Sequence, residues 1–223
     1  RLPLSITYRC DRAIVDAARQ IFPDDIEAWD QAGTGLVRSS YPEHVQYTAD
    51  TIVLCRLNRP LIALAYQLLG QGVACHVRGR DIGDGLVRLI KKQDARDVRQ
   101  LITMLTNWHA VETQKAVAKD DQHKQQSVND KFDSLMLFVG KCMLGDSPQV
   151  VIDNINQLFE QGKGVCLSTV HKAKGLEADK CYLLESNLFD YYASRAKQRW
   201  QHEQEKNIQY VAVTRAKHEL VYM

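Results

Sequence analysis

The sequence predicts an α/β fold built on a mostly parallel sheet. Two observations carry that expectation. Short apolar runs such as Thr51-Ile52-Val53-Leu54-Cys55-Arg56 lack polar alternation, the pattern of strands buried on both faces. Segments with helical periodicity separate these runs, so the order is strand, helix, strand, with right-handed crossovers expected.

The elements follow in order. Asp11 can cap a helix running to Phe22, on which Ile14, Ala17, Ala18 and Ile21 form one stripe. Residues 24–50 are polar and read as loop, with one short strand near Gly35 to Ser39. Thr51 to Arg56 is a strand. Asn58 can cap the next helix, with Pro60 in its first turn, and Gly70-Gln71-Gly72 stops it. Val73 to Val77 is the second strand of that unit. Residues 81–162 change character to amphipathic helices, a helical insertion. Within them 112–131 is mostly charged and amide side chains, a solvated helix or a mobile loop. Strands resume at Val165 to Val170 and Cys181 to Glu185. A polar helix from about Ser194 to Ala216 and a strand Glu219 to Met223 finish the chain.

Composition narrows the function classes. The 223 residues carry 29 Lys plus Arg against 27 Asp plus Glu, a net charge of +2. That balance excludes a histone-like polycation but not a local basic face. Residues 163–217 hold ten Lys/Arg against six Asp/Glu, where such a face is expected. No apolar run is long enough for a membrane span. Arg1-Leu2-Pro3-Leu4 leads into polar residues without a signal-peptide pattern, and the absence of an initial Met suggests an excised fragment. Together these suggest a cytoplasmic protein. The six cysteines are not spaced as CxxC and read as reduced core residues. The seven histidines show no HxH or HxxxH pairing, so no metal site is expected.

Three stretches carry chemistry. In Tyr210-Val211-Ala212-Val213-Thr214-Arg215-Ala216-Lys217, Arg215 falls on the apolar stripe of Ile208, Val211 and Ala212. A guanidinium there needs an anion, either a carboxylate such as Glu205 or a phosphate gripped by its planar fork. In Ser168-Thr169-Val170-His171-Lys172-Ala173-Lys174-Gly175-Leu176-Glu177, a buried strand runs into a cationic loop. Ligands of open α/β sheets bind beyond such strand ends, so a polyanion suits it, although an ordinary solvated loop fits equally. Thr169 and His171, two apart, are expected to face one side. In Ser5-Ile6-Thr7-Tyr8-Arg9-Cys10, an aromatic able to stack on a base precedes an Arg able to reach a phosphate; a packed Tyr and a surface Arg is the plainer alternative. Trp200 either stacks a base or packs its polar helix down.

The order Tyr-Arg, then TVHKAKGLE, then YVAVTRA resembles the carboxyl-terminal half of UvrD/Rep-type superfamily 1 DNA helicases. The resemblance implies a second RecA-like domain over residues 1–80 and 163–223, with 81–162 as a reduced accessory subdomain. It implies that Tyr8 stacks on adenine and that Arg9 and Arg215 are catalytic fingers on the γ-phosphate. Thr7 and Cys10 stand where the family usually has Asn and Ser. Gly175 and Glu177 are implied near the nucleotide; Thr169, His171, Lys172 and Lys174 are implied against single-stranded DNA. The chain has no GxxxxGK[ST] and no DExx stretch. ATP and Mg²⁺ are therefore expected mainly on an amino-terminal RecA-like domain, and this fragment alone is not expected to hydrolyse ATP. The implied partners are that domain, single-stranded DNA and duplex junctions, in a bacterial or phage-encoded ATP-dependent helicase acting in repair or replication. A reading of another class is a non-catalytic nucleic-acid-binding or interaction module that keeps a helicase scaffold.

Overall fold

The computed structural model describes residues 5–23, 26–160 and 162–223. A two-residue strand β1 (Ile6–Thr7) pairs in parallel with β2 (Glu27–Ala28). Between them lies α1 (Arg12–Arg19). The main sheet comprises β3 (Leu36–Ser39), β4 (Thr51–Cys55), β5 (Cys75–Arg78), β6 (Val165–Thr169), β7 (Ala178–Leu183) and β8 (Ala216–Tyr222). Its order is β3-β8-β7-β4-β6-β5, and every neighbouring pair is parallel. Helix α2 (Asn58–Gly70) connects β4 to β5. Helices α3 (Arg80–Gln93), α4 (Val98–Ala118), α5 (Gln122–Val139) and α6 (Pro148–Phe159) fill the span between β5 and β6. Helices α7 (Asn187–Ser194) and α8 (Arg199–Val213) lead from β7 into β8. This is the α/β architecture of a RecA-like domain.

Strand β4 explains why the sheet is layered. All five of its residues are buried. Ile52 and Leu54 join a core with Ile14 and Ala18 of α1 and Ile208 and Ala212 of α8. Val53 and Cys55 join the opposite core, with Leu61 and Ile62 of α2. The period-2 alternation thus feeds two apolar layers, which is why no polar face shows in the sequence. The helical block shares the second core, through Leu101 and Leu105 of α4, Leu135 and Phe138 of α5, and Val151 and Ile155 of α6. Gly164 sits at φ +108° where β6 enters beside β5; a Cβ there would lie 2.1 Å from the Ala74 carbonyl oxygen. The chain passes this point only as glycine.

Several expectations shift. Asp11 precedes α1, but its side chain caps nothing; its carboxylate instead meets His218 Nδ1 at 2.8 Å. Residues 112–131 are helical apart from the turn at 119–121, with Asp121 capping α5 through the Lys124 N–H at 2.9 Å. The polar helix expected over 194–216 is shorter, α8 at Arg199–Val213, and β8 already begins at Ala216. All six cysteines are free; Cys10, Cys55 and Cys181 are buried and the other three half-buried. Among the described residues no helix is long and apolar enough to cross a membrane.

The start of α2 departs most usefully. Asn58 does not cap it. Asp130 of α5 does, accepting from the Asn58 N–H at 3.0 Å, Asn58 Nδ2 at 2.7 Å and the Arg59 N–H at 3.0 Å. A carboxylate meets both the orphan donors and the positive end of the helix dipole. The cap comes from a residue 72 positions away, so it also ties the helical block to the sheet. Asp130→Ala should lower unfolding stability by about 1–2 kcal/mol, measured by urea unfolding; an unchanged midpoint would show the cap is dispensable.

Candidate functional site

The carboxyl ends of β4 and β6 open onto a cleft lined by Arg56, Asn58, Asp130, Thr169, His171 and Lys172. Arg56 is its foundation. Its Nε and Nη2 donate to Glu205 of α8 at 2.9 and 2.7 Å, and both side chains are under a tenth exposed. The guanidinium also lies 5.3 Å from the Tyr192 ring centroid. No motif points to this pair. Its signal is a charged residue at the end of an apolar strand and another on the stripe Glu205, Ile208, Ala212. Glu205 is thereby taken, and the carboxylate considered for Arg215 is not available to it.

Beyond β6 the backbone turns. Val170–Lys172 is a 3₁₀ turn, so the strand alternation expected to align Thr169 with His171 ends at Thr169. Both residues still line the same cleft, Thr169 buried and His171 with an exposed face. Packing around the imidazole, then the Arg56 charge, push the His171 pKa below its ordinary value; Glu205 only partly offsets this. Lys172 pairs with Asp81 of α3 at 2.6 Å, both exposed. Lys174 has no ion-pair partner among the described residues. It faces a neighbouring groove with His171, Asn207, Val211 and Arg215. Gly175, at φ +80°, turns the loop in the left-handed conformation that glycine tolerates. The four residues matched to the DNA track therefore lie along two adjoining grooves that share His171.

On the other side of this loop lies an open pocket lined by Tyr8, Arg9, Glu177, Tyr210 and Lys217. Tyr8 is 75% exposed. Glu177 accepts from Arg9 Nε at 2.7 Å and from Lys217 Nζ at 3.1 Å. Lys217 holds the Glu177 carboxyl below its ordinary range, with Arg9 adding to the effect. Lys217 is a cation that no motif match flags, two residues past Arg215. Thr214, by contrast, is buried with its hydroxyl donated to the Tyr210 carbonyl at 2.9 Å, a helix-terminating role.

Arg215 is the electrostatic anomaly. Helix α8 ends at Val213, so Arg215 leaves the helix rather than extending its stripe. Its Nε donates to the Val211 carbonyl at 3.0 Å and its Nη1 to the Leu176 carbonyl at 3.3 Å. Among the described residues no carboxylate pairs with it. Burial, then the Arg9 charge, lower its pKa from the ordinary arginine value. A half-buried guanidinium under the influence of a second one would be stabilised by an incoming anion. No three candidate metal ligands converge among the described residues. Trp200 is exposed, its ring 6.4 Å from His123, so it does not pack α8 into the core.

Two outcomes follow from this geometry. Removing one partner of the buried pair, by Arg56→Ala or Glu205→Ala, should cost about 3–5 kcal/mol because the other charge is stranded, and Arg56→Lys should recover little of it. Denaturant unfolding decides. An NMR titration should find His171 protonating below the ordinary imidazole range. Because that folded-state pKa is lowered, its contribution to stability holds above the ordinary value. It is lost as pH falls through the interval below.

The family model for the UvrD-like helicase C-terminal domain matches residues 91–223, which include the loop 169–177, α8 and Arg215. Tyr8 and Arg9 precede the matched stretch. No curated protein matches the chain. More than half of the chain fits the model, with its cationic loop and its arginine at the edge of a parallel sheet. The chain thus belongs to the UvrD-like helicase C-terminal domain family.

Proposed function

We propose that this chain is the carboxyl-terminal motor half of an ATP-dependent DNA helicase or translocase. The observation that carries the proposal is Arg215: half-buried, within the field of Arg9, and bonded among the described residues only to backbone carbonyls. Such a group is stabilised by an incoming polyanion, and two guanidiniums suit the charge that develops during phosphoryl transfer. Arg9 is held by Glu177, but both side chains are 41% exposed. An exposed pair is worth about 0.2–1 kcal/mol, so Arg9 can exchange that carboxylate for a phosphate at little cost. Tyr8 offers an open ring for the adenine at the rim of the same pocket. Glu177 lines it, and Gly175 turns the loop two residues before. Mg²⁺ and the phosphate cradle belong to the amino-terminal RecA-like domain that the resemblance implies.

Single-stranded DNA runs over the groove side of the loop. Thr169, His171 and Lys172 form one stretch of that track, and Lys174, without an ion-pair partner among the described residues, meets phosphate in the next. His171 contributes as a neutral imidazole at neutral pH, because its pKa is lowered. Binding through the lysines should weaken with salt.

The test is the ATPase of the full-length helicase with and without single-stranded DNA. Arg215→Ala should lower the DNA-stimulated kcat by about 10²–10³-fold and weaken DNA binding far less, since it is one of several residues lining that groove. Turnover retained in that variant would sink the finger role. DNA binding without ATP hydrolysis in the unsubstituted protein would favour the non-catalytic module instead.

A further inference from the structure

Trp29 lies outside every motif matched above. It follows β2 as Tyr8 follows β1. The two strands pair in register, Ile6 with Glu27 and Thr7 with Ala28, so Tyr8 and Trp29 are the next pair. The Trp29 N–H donates to the Thr7 carbonyl at 3.2 Å and extends that ladder by one bond. Neighbouring positions of a parallel ladder carry side chains on one face, about 4.8 Å apart. The rings accordingly meet, with centroids 5.6 Å apart and planes inclined by 51°.

The Trp29 side of this pair is anchored. Two strands of two residues cannot hold a position alone. Ile26 is buried against Ile14 and Ala18 of α1. Arg19 donates to the Ile26 carbonyl at 2.9 Å, and Arg12 to the Asp30 carbonyl at 2.5 Å. The Ala32 N–H closes a turn onto the Trp29 carbonyl at 2.8 Å. Tyr8 has none of this support: it is 75% exposed, against 38% for Trp29. One ring is fixed and partly covered, and the other rests on it with a face left open.

We propose that Trp29 is a positioning residue for nucleobase binding. It buttresses the Tyr8 ring so that the open face is presented beside the Arg9 and Lys217 cations of the same pocket. The inference rests on the nucleotide reading of Tyr8 and deepens it. A base that stacks on a ring already held in place loses less freedom on binding than one that must order the ring itself. Trp29 does not line the pocket, so it acts through Tyr8 and contributes to nucleotide affinity rather than to the chemical step.

The experiment is steady-state ATPase of the full-length helicase. Trp29→Ala should raise KM for ATP about three- to tenfold, the range of one aromatic pair, with kcat near its unsubstituted value. Trp29→Phe should restore most of the affinity, and Tyr8→Ala should raise KM at least as far. The double variant should be no worse than Tyr8→Ala alone, because Trp29 works only through that ring. A raised KM in Tyr8→Ala with an unchanged KM in Trp29→Ala overturns this inference and leaves the nucleotide reading standing. An unchanged KM in both overturns the nucleotide reading of Tyr8 as well. A fall in kcat without a change in KM in Trp29→Ala overturns the positioning role.

Discussion

The buried Arg56–Glu205 pair is the constraint on which the arrangement of the sheet edge depends. It joins the end of the central strand β4 to the middle of α8, bidentately and away from water. Two charges in that environment are tolerable only because each satisfies the other. Their geometry therefore fixes where α8 lies over the sheet. Everything near them inherits that position. Tyr192 packs over the guanidinium, His171 is kept neutral partly by it, and α8 delivers Arg215 at its end. A hydrophobic pair of similar volume could hold the helix, but it would not depress the His171 pKa.

That pair also explains why Arg215 has no carboxylate partner among the described residues. Glu205 is the acidic residue on the buried stripe of α8, and Arg56 occupies both its oxygens. Glu177, the nearest acidic group on the loop, is shared between Arg9 and Lys217. Two cations thus share one carboxylate in that pocket, and Arg215 on the neighbouring groove has none among the described residues. The net charge of +2 for the whole chain conceals this, because the imbalance is local.

How much of this was legible in the sequence follows from the range of the interactions. Strand runs such as Val165 to Thr169 and the crossover helix α2 are set by local apolar pattern, and they stand within one or two residues of expectation. The buried faces were legible too, since Ile14, Ala18, Ile208 and Ala212 all carry helical spacing. What failed was long-range partnering. Asn58 has the residue type of a cap, but a carboxylate 72 positions on fills that role better. Glu205 is the acidic residue considered for Arg215, but Arg56, 149 positions away, reaches it from the sheet. Trp29 carries no local signal at all; only the register of two very short strands brings it to Tyr8. Motif residues were legible because their chemistry sits in adjacent positions, and their supports were not because they come from distant ones.

The loop from Thr169 to Glu177 is the shortest physical path between the two halves of the proposed site. At its start Thr169 and His171 face the groove; at its end Glu177 faces the pocket of Tyr8 and Arg9. Between them Gly175 permits a sharp turn, and the Leu176 carbonyl accepts from Arg215. A phosphate that draws Arg215 competes with that carbonyl, and one that draws Arg9 competes with Glu177. Both exchanges act on the same few residues of one loop. The opposite end of that loop is anchored by β6, whose Thr169 is in register with Cys55, the residue before Arg56. In the motor reading, charge arriving at one face therefore has a rigid strand to push against and a glycine turn through which to move His171. A two-state coupling of this kind needs no further element than those already in contact.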